Sequence, residues 1–165
     1  RESNDEMRKW FMDNCNPTQF NGSLSESMVD ADVFIGVSAP NVLKENDIKS
    51  MAPNSIVFAL SNPDPEIDPA IARKYASVVA TGRSDQPNQI NNLLAFPGIF
   101  RGLLDSNAHE ISDQLLLAAA NALADCVTPE QLNNSYIVPS VFDENVAISV
   151  AKAVEKIVTL ERSNS

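Results

Sequence analysis

In the run ATGRSDQPNQINNLLAFPGIFRG, Ala80 to Gly102, a polar loop carrying Arg83, Ser84, Asp85, Asn88, Asn91 and Asn92 passes directly into an apolar, helix-like segment. An asparagine NH2 presents two donors without adding charge, which suits it to orient a carboxylate. A helix starting near Asn91 would add backbone N–H groups and the positive end of its dipole. The same asparagines could equally do no more than cap turns. Arg83 and Asp85 are placed either to brace the loop as an internal ion pair or to meet a ligand. Loops that follow buried strands are where α/β proteins commonly hold ligands, so the elements before this loop decide whether it can act.

Those elements alternate. ADVFIGVS has a continuous apolar core, Val33 to Val37, too short for a helix, and reads as a buried parallel strand. A turn through Ser38 to Asn41 and a short helix near Lys44 to Met51 lead to a second apolar run, Ile56 to Leu60, which Pro63 and Pro65 stop. Asp68 as N-cap and Pro69 as first helical residue begin a helix over IDPAIARKY, which leads to a third run, Ser77 to Thr81. This alternation implies a parallel sheet covered by helices, and right-handed crossovers bring all three strand exits to one edge. Ser38, Asn62 and residues 83 to 92 should therefore converge. The fold class is α/β, a partial Rossmann-like parallel sheet flanked by helices, with a helical C-terminal part.

Around that core the sequence reads as helical. Residues 1 to 29 open with a charged helical stretch around Met7, Trp10, Phe11 and Met12, break at Asn16, Pro17 and Gly22, and resume as a short helix in which Ser23 and Glu26 make a capping box. Pro97 should kink the segment from Asn91 to Leu104 or start a second one, while Gly98 and Gly102 share a face and let a neighbour come close. Residues 111 to 127 read as a mostly buried, alanine-rich helix capped by Ser112. Thr128, Pro129 and Glu130 start another short helix, YIVPSVF is extended, and Asp143 caps a last amphipathic helix to about Leu160, beyond which ERSNS should fray. The chain divides as a helical N-terminal segment (1–29), a βαβαβ core with the site loop (30–104) and C-terminal helices (105–165). Three strands make only part of an open sheet. The exposed edge of the first calls for cover by residues 1 to 29, by another chain, or by a longer version of this one.

At 165 residues, 44% hydrophobic and 21% charged, the chain suffices for one domain with a real core. A formal charge of −10 with no Lys/Arg cluster argues against nucleic acid as a partner, because phosphate-backbone binding needs concentrated positive charge. No apolar run approaches bilayer length and RESNDEMRKW lacks the apolar core of a signal peptide, which points away from membranes and toward the cytoplasm or an organelle matrix. Cys15 and Cys126 lie far apart without CxxC spacing, so neither a disulfide framework nor a zinc site is indicated. Gly22, Gly36, Gly82, Gly98 and Gly102 never fall into GxGxxG spacing, and HExxH, GxSxG and the Walker lysine motif are absent too. His109, beside Glu110, reads as a surface residue.

The runs ADVFIGVSAPNVL, IVFALSNPDPEI, VVATGRSDQPNQINNLLAFPGIFRGLLD and AAANALADCV, in this order and at these spacings, resemble the C-terminal half of the NAD(P)-binding domain of malic enzymes, most nearly the bacterial short-subunit branch. The likeness runs from about Gly22 onward, and Val78 to Asp105 carries most of its specificity. It implies oxidation of L-malate with NAD or NADP and decarboxylation to pyruvate, assisted by a divalent metal, Mg or Mn, whose ligands lie outside this chain. It further implies a substrate-binding role for Asn62, Asn91 and Asn92, and a cofactor-contacting role for Gly36, Val37, Ser38, Asn62 and Asn92. An asparagine amide orients a carboxylate well beside a metal whose own charge already dominates.

Ala39 and Asn41 stand where the family commonly has glycines, which bears on turn geometry and on how closely a cofactor can approach. The family's catalytic tyrosine and lysine, its acidic metal ligands and its phosphate-cradling loop belong upstream of what corresponds to Arg1. No catalytic or metal-ligating residue is therefore assigned here, and Asp64, Glu66 and Asp85 can act on the chemistry at most through other groups. The expectation is a portion of a malic enzyme, inactive alone, that completes its site with the missing N-terminal part or a second chain and assembles as a homo-oligomer. Two alternatives stay open: a non-catalytic Rossmann-like binding or assembly module, and a different Rossmann dehydrogenase, such as an amino-acid dehydrogenase. The asparagine pair before LLAFPG disfavours the second.

Overall fold

Three strands form where β-branched residues cluster between turn signals: β1 (Val33–Gly36), β2 (Ile56–Ala59) and β3 (Val78–Thr81). The computed structural model describes residues 6–163. RESND, the side chains of Glu6 and Met7, and the final Asn164 and Ser165, on which part of the expected fraying falls, lie outside the described residues. The strands pair in parallel in the order β1-β2-β3, with Val33 opposite Ile56 and Ile56 opposite Val78. Short crossover helices, α3 (Glu45–Lys49) and α4 (Pro69–Ala72), separate them. Asp68 starts α4 as expected, its carboxylate accepting from the Ala70 N–H, with Pro69 at the head of the helix. The capping box of Ser23 and Glu26 opens α2 (Leu24–Ser27), after α1 (Glu6–Asn14).

β1 is not buried as its apolar run suggested. Val33 and Ile35 are 50% and 63% exposed, whereas Phe34 and Gly36 turn inward. Alternate residues of a strand point to opposite faces, and the core cluster here lies on the side of Phe34. Residues 8 to 27 are exposed throughout, so α1 and α2 do not supply the missing cover. The sheet's own core gathers Met28, Leu43, Ile48, Val57, Ile67 and Val79 beneath the crossovers.

A second apolar cluster belongs to the helices α5 (Phe96–Asp105), α6 (Asp113–Ala124) and α7 (Glu144–Ser163). On α7, Val146, Val150, Val154 and Val158 recur every fourth residue and are buried, which makes it the central element of the cluster. Asp143 caps its start, accepting from the Asn145 N–H at 2.9 Å. Ser112 caps α6, yet that helix is half exposed rather than mostly buried: Leu115 and Ala119 face α7, while Leu116 and Leu117 are 47% and 65% exposed. The expected helix after Thr128 does not form. The N–H groups of Gln131 and Leu132 both bond the Thr128 carbonyl, and the chain then closes into a bridge between Asn133 and Tyr136 before a second turn can build. Among the described residues no helix is long and apolar enough to cross a membrane.

Pro97 begins a new segment instead of kinking an existing one. A 3₁₀ turn (Asn92–Leu94) ends at Ala95, and α5 starts with Pro97 in its first turn. Gly98 and Gly102 then lie against α7 so closely that a Cβ on Gly102 would stand 2.6 Å from the Ala151 carbonyl oxygen and 2.7 Å from Val154 Cβ. Gly102→Ala tests which of two opposed effects is larger. Alanine favours a helix over glycine by about 1 kcal/mol, but overpacking against a backbone atom that cannot rotate away costs roughly 1–3 kcal/mol. Denaturant unfolding should therefore show net destabilisation; equal or greater stability would mean that α5 and α7 are not in this contact.

Candidate functional site

Parallel strands place their C-terminal exits side by side, and a cleft of about 560 Å³ opens there. Leu60, Ser61, Asn62 and Pro63 from the β2 exit line one side; Gly82 to Asp85 from the β3 exit and Ile90, Asn91 and Asn92 line the other. The convergence expected of Asn62 and the asparagine pair is thus observed. Asn62 and Asn92 are exposed and Asn91 is half-buried. Asn91 is the cap of the 3₁₀ turn, its Oδ1 accepting from the Leu93 N–H at 3.0 Å, so the capping role is real for this residue. A Cβ on Gly82 would meet nothing nearer than the Ile90 carbonyl oxygen at 3.9 Å, which leaves open space at that point of the cleft.

Gly36, Val37 and Ser38 do not line the cleft. They border it through Glu66, which is fully buried. Glu66 Oε1 accepts from the Ser38 N–H (2.9 Å) and hydroxyl (3.2 Å), and Oε2 accepts from the Ser61 N–H (3.0 Å). A Cβ on Gly36 would stand 2.6 Å from the Glu66 carboxyl, so the glycine makes room for the carboxylate. Val37 is 79% exposed beyond it. Asn41 takes the left-handed conformation at φ 57°, filling in this chain the backbone role of a glycine. Its N–H donates to the Pro65 carbonyl at 3.1 Å, while that of Leu43 donates to the Glu66 carbonyl at 3.0 Å.

Charge at the cleft is balanced internally. Arg83 and Asp85 meet in a two-point ion pair, Nε to Oδ1 at 2.9 Å and Nη2 to Oδ2 at 2.8 Å, which holds the Asp85 carboxyl down at about 2. Gln86 joins them, its amide donating to Asp85 Oδ2 (3.3 Å) while its Oε1 accepts from Arg73 (2.7 Å). The expected loop brace is thus present, and both residues also line the cleft. Among the described residues no group of three or more His, Cys, Asp and Glu could hold a metal ion. With Asp85 paired to Arg83 and Glu66 surrounded by donors, the residues present do not fit the divalent metal that the resemblance implies. His109 and Cys15 are exposed and both cysteines are free thiols.

Such a cleft, at the C-terminal edge of a parallel sheet covered by helices, defines a Rossmann-like α/β ligand-binding unit. Residues 4–159 match the family model described as "Malic enzyme, NAD binding domain", and the chain belongs to that family. It is 58% identical over 139 residues to an NAD-dependent malic enzyme of Geobacillus stearothermophilus, covering 84% of this chain and 29% of that protein. It is 52% identical to a bifunctional malic/malolactic enzyme of Bacillus subtilis, covering 86% and 35% respectively. The solved malic enzyme of Pyrococcus horikoshii superposes with a TM-score of 0.87 at 44% identity, over 93% of this chain and 36% of that one. The chain therefore spans about a third of the length of these proteins.

Glu66 holds more of the cleft's edge than its local sequence announces. For Glu66 the sequence offers only an acidic residue beside one apolar residue and between prolines, PEIDP; its place against Gly36 comes from the fold. Burial raises the Glu66 carboxyl, but the Ser38 and Ser61 N–H groups and the Ser38 hydroxyl outweigh it, and the group lies below the ordinary value of 4.5. A carboxyl lowered on folding contributes stability above its unfolded value and loses it as pH falls through the folded one. Stability should accordingly decline as pH drops below about 4.5, and Glu66→Gln should flatten that decline while costing roughly 1–3 kcal/mol at neutral pH. Unfolding curves at several pH values check this; an unchanged acid limb in Glu66→Gln would mean that the buried carboxylate does not govern acid stability.

Proposed function

We propose that this chain forms one wall of a malic enzyme's substrate and nicotinamide site, serving oxidative decarboxylation of L-malate to pyruvate and CO2 with NAD or NADP. The observation that carries the reading is that Asn62 and Asn92 line one cleft at the strand exits, in a chain of the malic enzyme NAD binding domain family.

A bound NAD(P) would supply the acceptor for the hydride leaving malate C2. The part played by this chain is orientation. Asn92, exposed at the start of the 3₁₀ turn, offers its NH2 to a carboxylate of the substrate, and Asn62 faces it from the β2 exit. Asn91 has its oxygen occupied as a cap and contributes chiefly by fixing the backbone on which Asn92 stands. With Asp85 paired to Arg83, no unpaired carboxylate on the loop repels an incoming dianion. Ser38, held by Glu66, and exposed Val37 flank the cofactor side of the cleft. No residue of this chain is assigned to a metal.

Proton transfer also falls to residues beyond this chain, so the 165 residues alone should give no malate-dependent reduction of NAD(P). In the complete protein that carries them, Asn92→Ala should lower malate kcat/KM by about 10- to 100-fold, the scale expected when an oriented hydrogen bond to a reacting substrate is lost. The exposed position of Asn92 predicts a much smaller effect on unfolding, within about 0.5 kcal/mol. Steady-state kinetics beside thermal unfolding check the pair; wild-type kcat/KM in Asn92→Ala would leave that residue no role beyond its turn.

A further inference from the structure

Between the cleft and the helical half lies a side chain that the mechanism above does not use. Asn88 is 6% exposed and its backbone is left-handed, with φ 57°. Its NH2 donates to the Val79 carbonyl in β3 at 3.1 Å and to the Asn134 carbonyl at 2.9 Å, while its Oδ1 accepts from the Ile137 N–H at 2.9 Å. Both donor hydrogens and the acceptor oxygen are therefore engaged, on partners that stand on two different parts of the fold. The sheet cluster and the helix cluster share no members. Among the described residues, the hydrogen bonds that join the sheet half to the segment linking α6 to α7 are those of Asn88.

Immediately after Asn88 the chain becomes the cleft wall. Gln89 bridges Thr81 in parallel register and the Ile90 N–H donates to the Thr81 carbonyl at 2.8 Å, after which Asn91 and Asn92 emerge into the cleft. We propose that Asn88 is a positioning residue for the cleft: by tying the loop to β3 on one side and to residues 134–137 on the other, it sets where Asn91 and Asn92 stand. The substrate consequence rests on the reading given under Proposed function; the clamp itself does not. Glycine would adopt the same backbone conformation without strain, so the asparagine is required for its amide and not for its φ.

That distinction supplies the test. Asn88→Gly, made in the complete protein, keeps the left-handed backbone and removes all three side-chain bonds. Without any ligand, amide hydrogen exchange at Ile90 to Leu93 and at Ile137 should accelerate. Malate kcat/KM per folded enzyme should fall by about 10- to 100-fold, as for a displaced orienting group. If Asn88 acts through Asn92, the same substitution in an Asn92→Ala background should cause no further loss. A purely structural residue would lower Tm and leave kcat/KM of the folded fraction at the wild-type value, and that result overturns the proposal, as does full additivity with Asn92→Ala. Unchanged exchange at Ile90 to Leu93 overturns it whatever the kinetics. Accelerated exchange with a fully active Asn92→Ala would uphold the clamp and reject the malate reading instead. Should Asn88→Gly fail to fold, Asn88→Asp is the second variant: it retains an acceptor for Ile137 and sets an oxygen against the carbonyls of Val79 and Asn134, with the same expected losses.

Discussion

A carboxylate taken wholly out of water costs several kcal/mol unless donors replace its hydration, and Glu66 is wholly out of water. Its donors are the amides of Ser38 and Ser61, one just past β1 and one just past β2. Because charge-assisted bonds are roughly twice as strong as neutral ones, the two strand exits are held at a separation set by one carboxyl group. Gly36 is part of the same arrangement, since any side chain there would occupy the space of the carboxyl. The β2 exit that carries Asn62 is thus fixed from beneath before any ligand arrives.

On the other side of the cleft the fixing is done differently. The loop after β3 is braced at its tip by the Arg83–Asp85 pair, which is solvent-exposed and open to screening by salt. At its base it is held by Asn88 and by the bridge from Thr81 to Gln89, both largely shielded from solvent. The rigid part of the wall is therefore the base, next to Asn91 and Asn92, and the tip is the part free to adjust. Beyond the loop, α5 is seated on α7 through Gly98 and Gly102, so the 3₁₀ turn that bears the asparagine pair leads directly into a helix anchored in its own apolar cluster.

Much of this was legible in the residues. Short continuous apolar runs located all three strands, Asp68 and Pro69 located a helix start, and Gly98 with Gly102 announced a close helix contact. These signals are local, and local physics decides them. Burial was misjudged where it depends on neighbours: the run Val33 to Val37 looks the same whether a strand sits at an edge or in the middle, and the leucines of α6 do not say how many helices will pack around them. The turn after Thr128 failed as a helix because a bridge between Asn133 and Tyr136 competes for the backbone. Glu66 and Asn88 act across 28 and 49 residues of sequence, reaching Ser38 and Ile137, and no spacing rule reveals such partners in advance.

On the reading we propose, ligand chemistry takes place between Asn62 and Asn92, on a wall whose geometry exists before binding. The most direct measurement is a crystal structure of the complete protein with NAD(P) and a non-reacting dicarboxylate bound. The expected result is a ligand carboxylate within hydrogen-bond distance of the Asn92 amide, with the Glu66 contacts to Ser38 and Ser61 intact. A dicarboxylate bound elsewhere, with Asn62 and Asn92 facing only solvent, would contradict it.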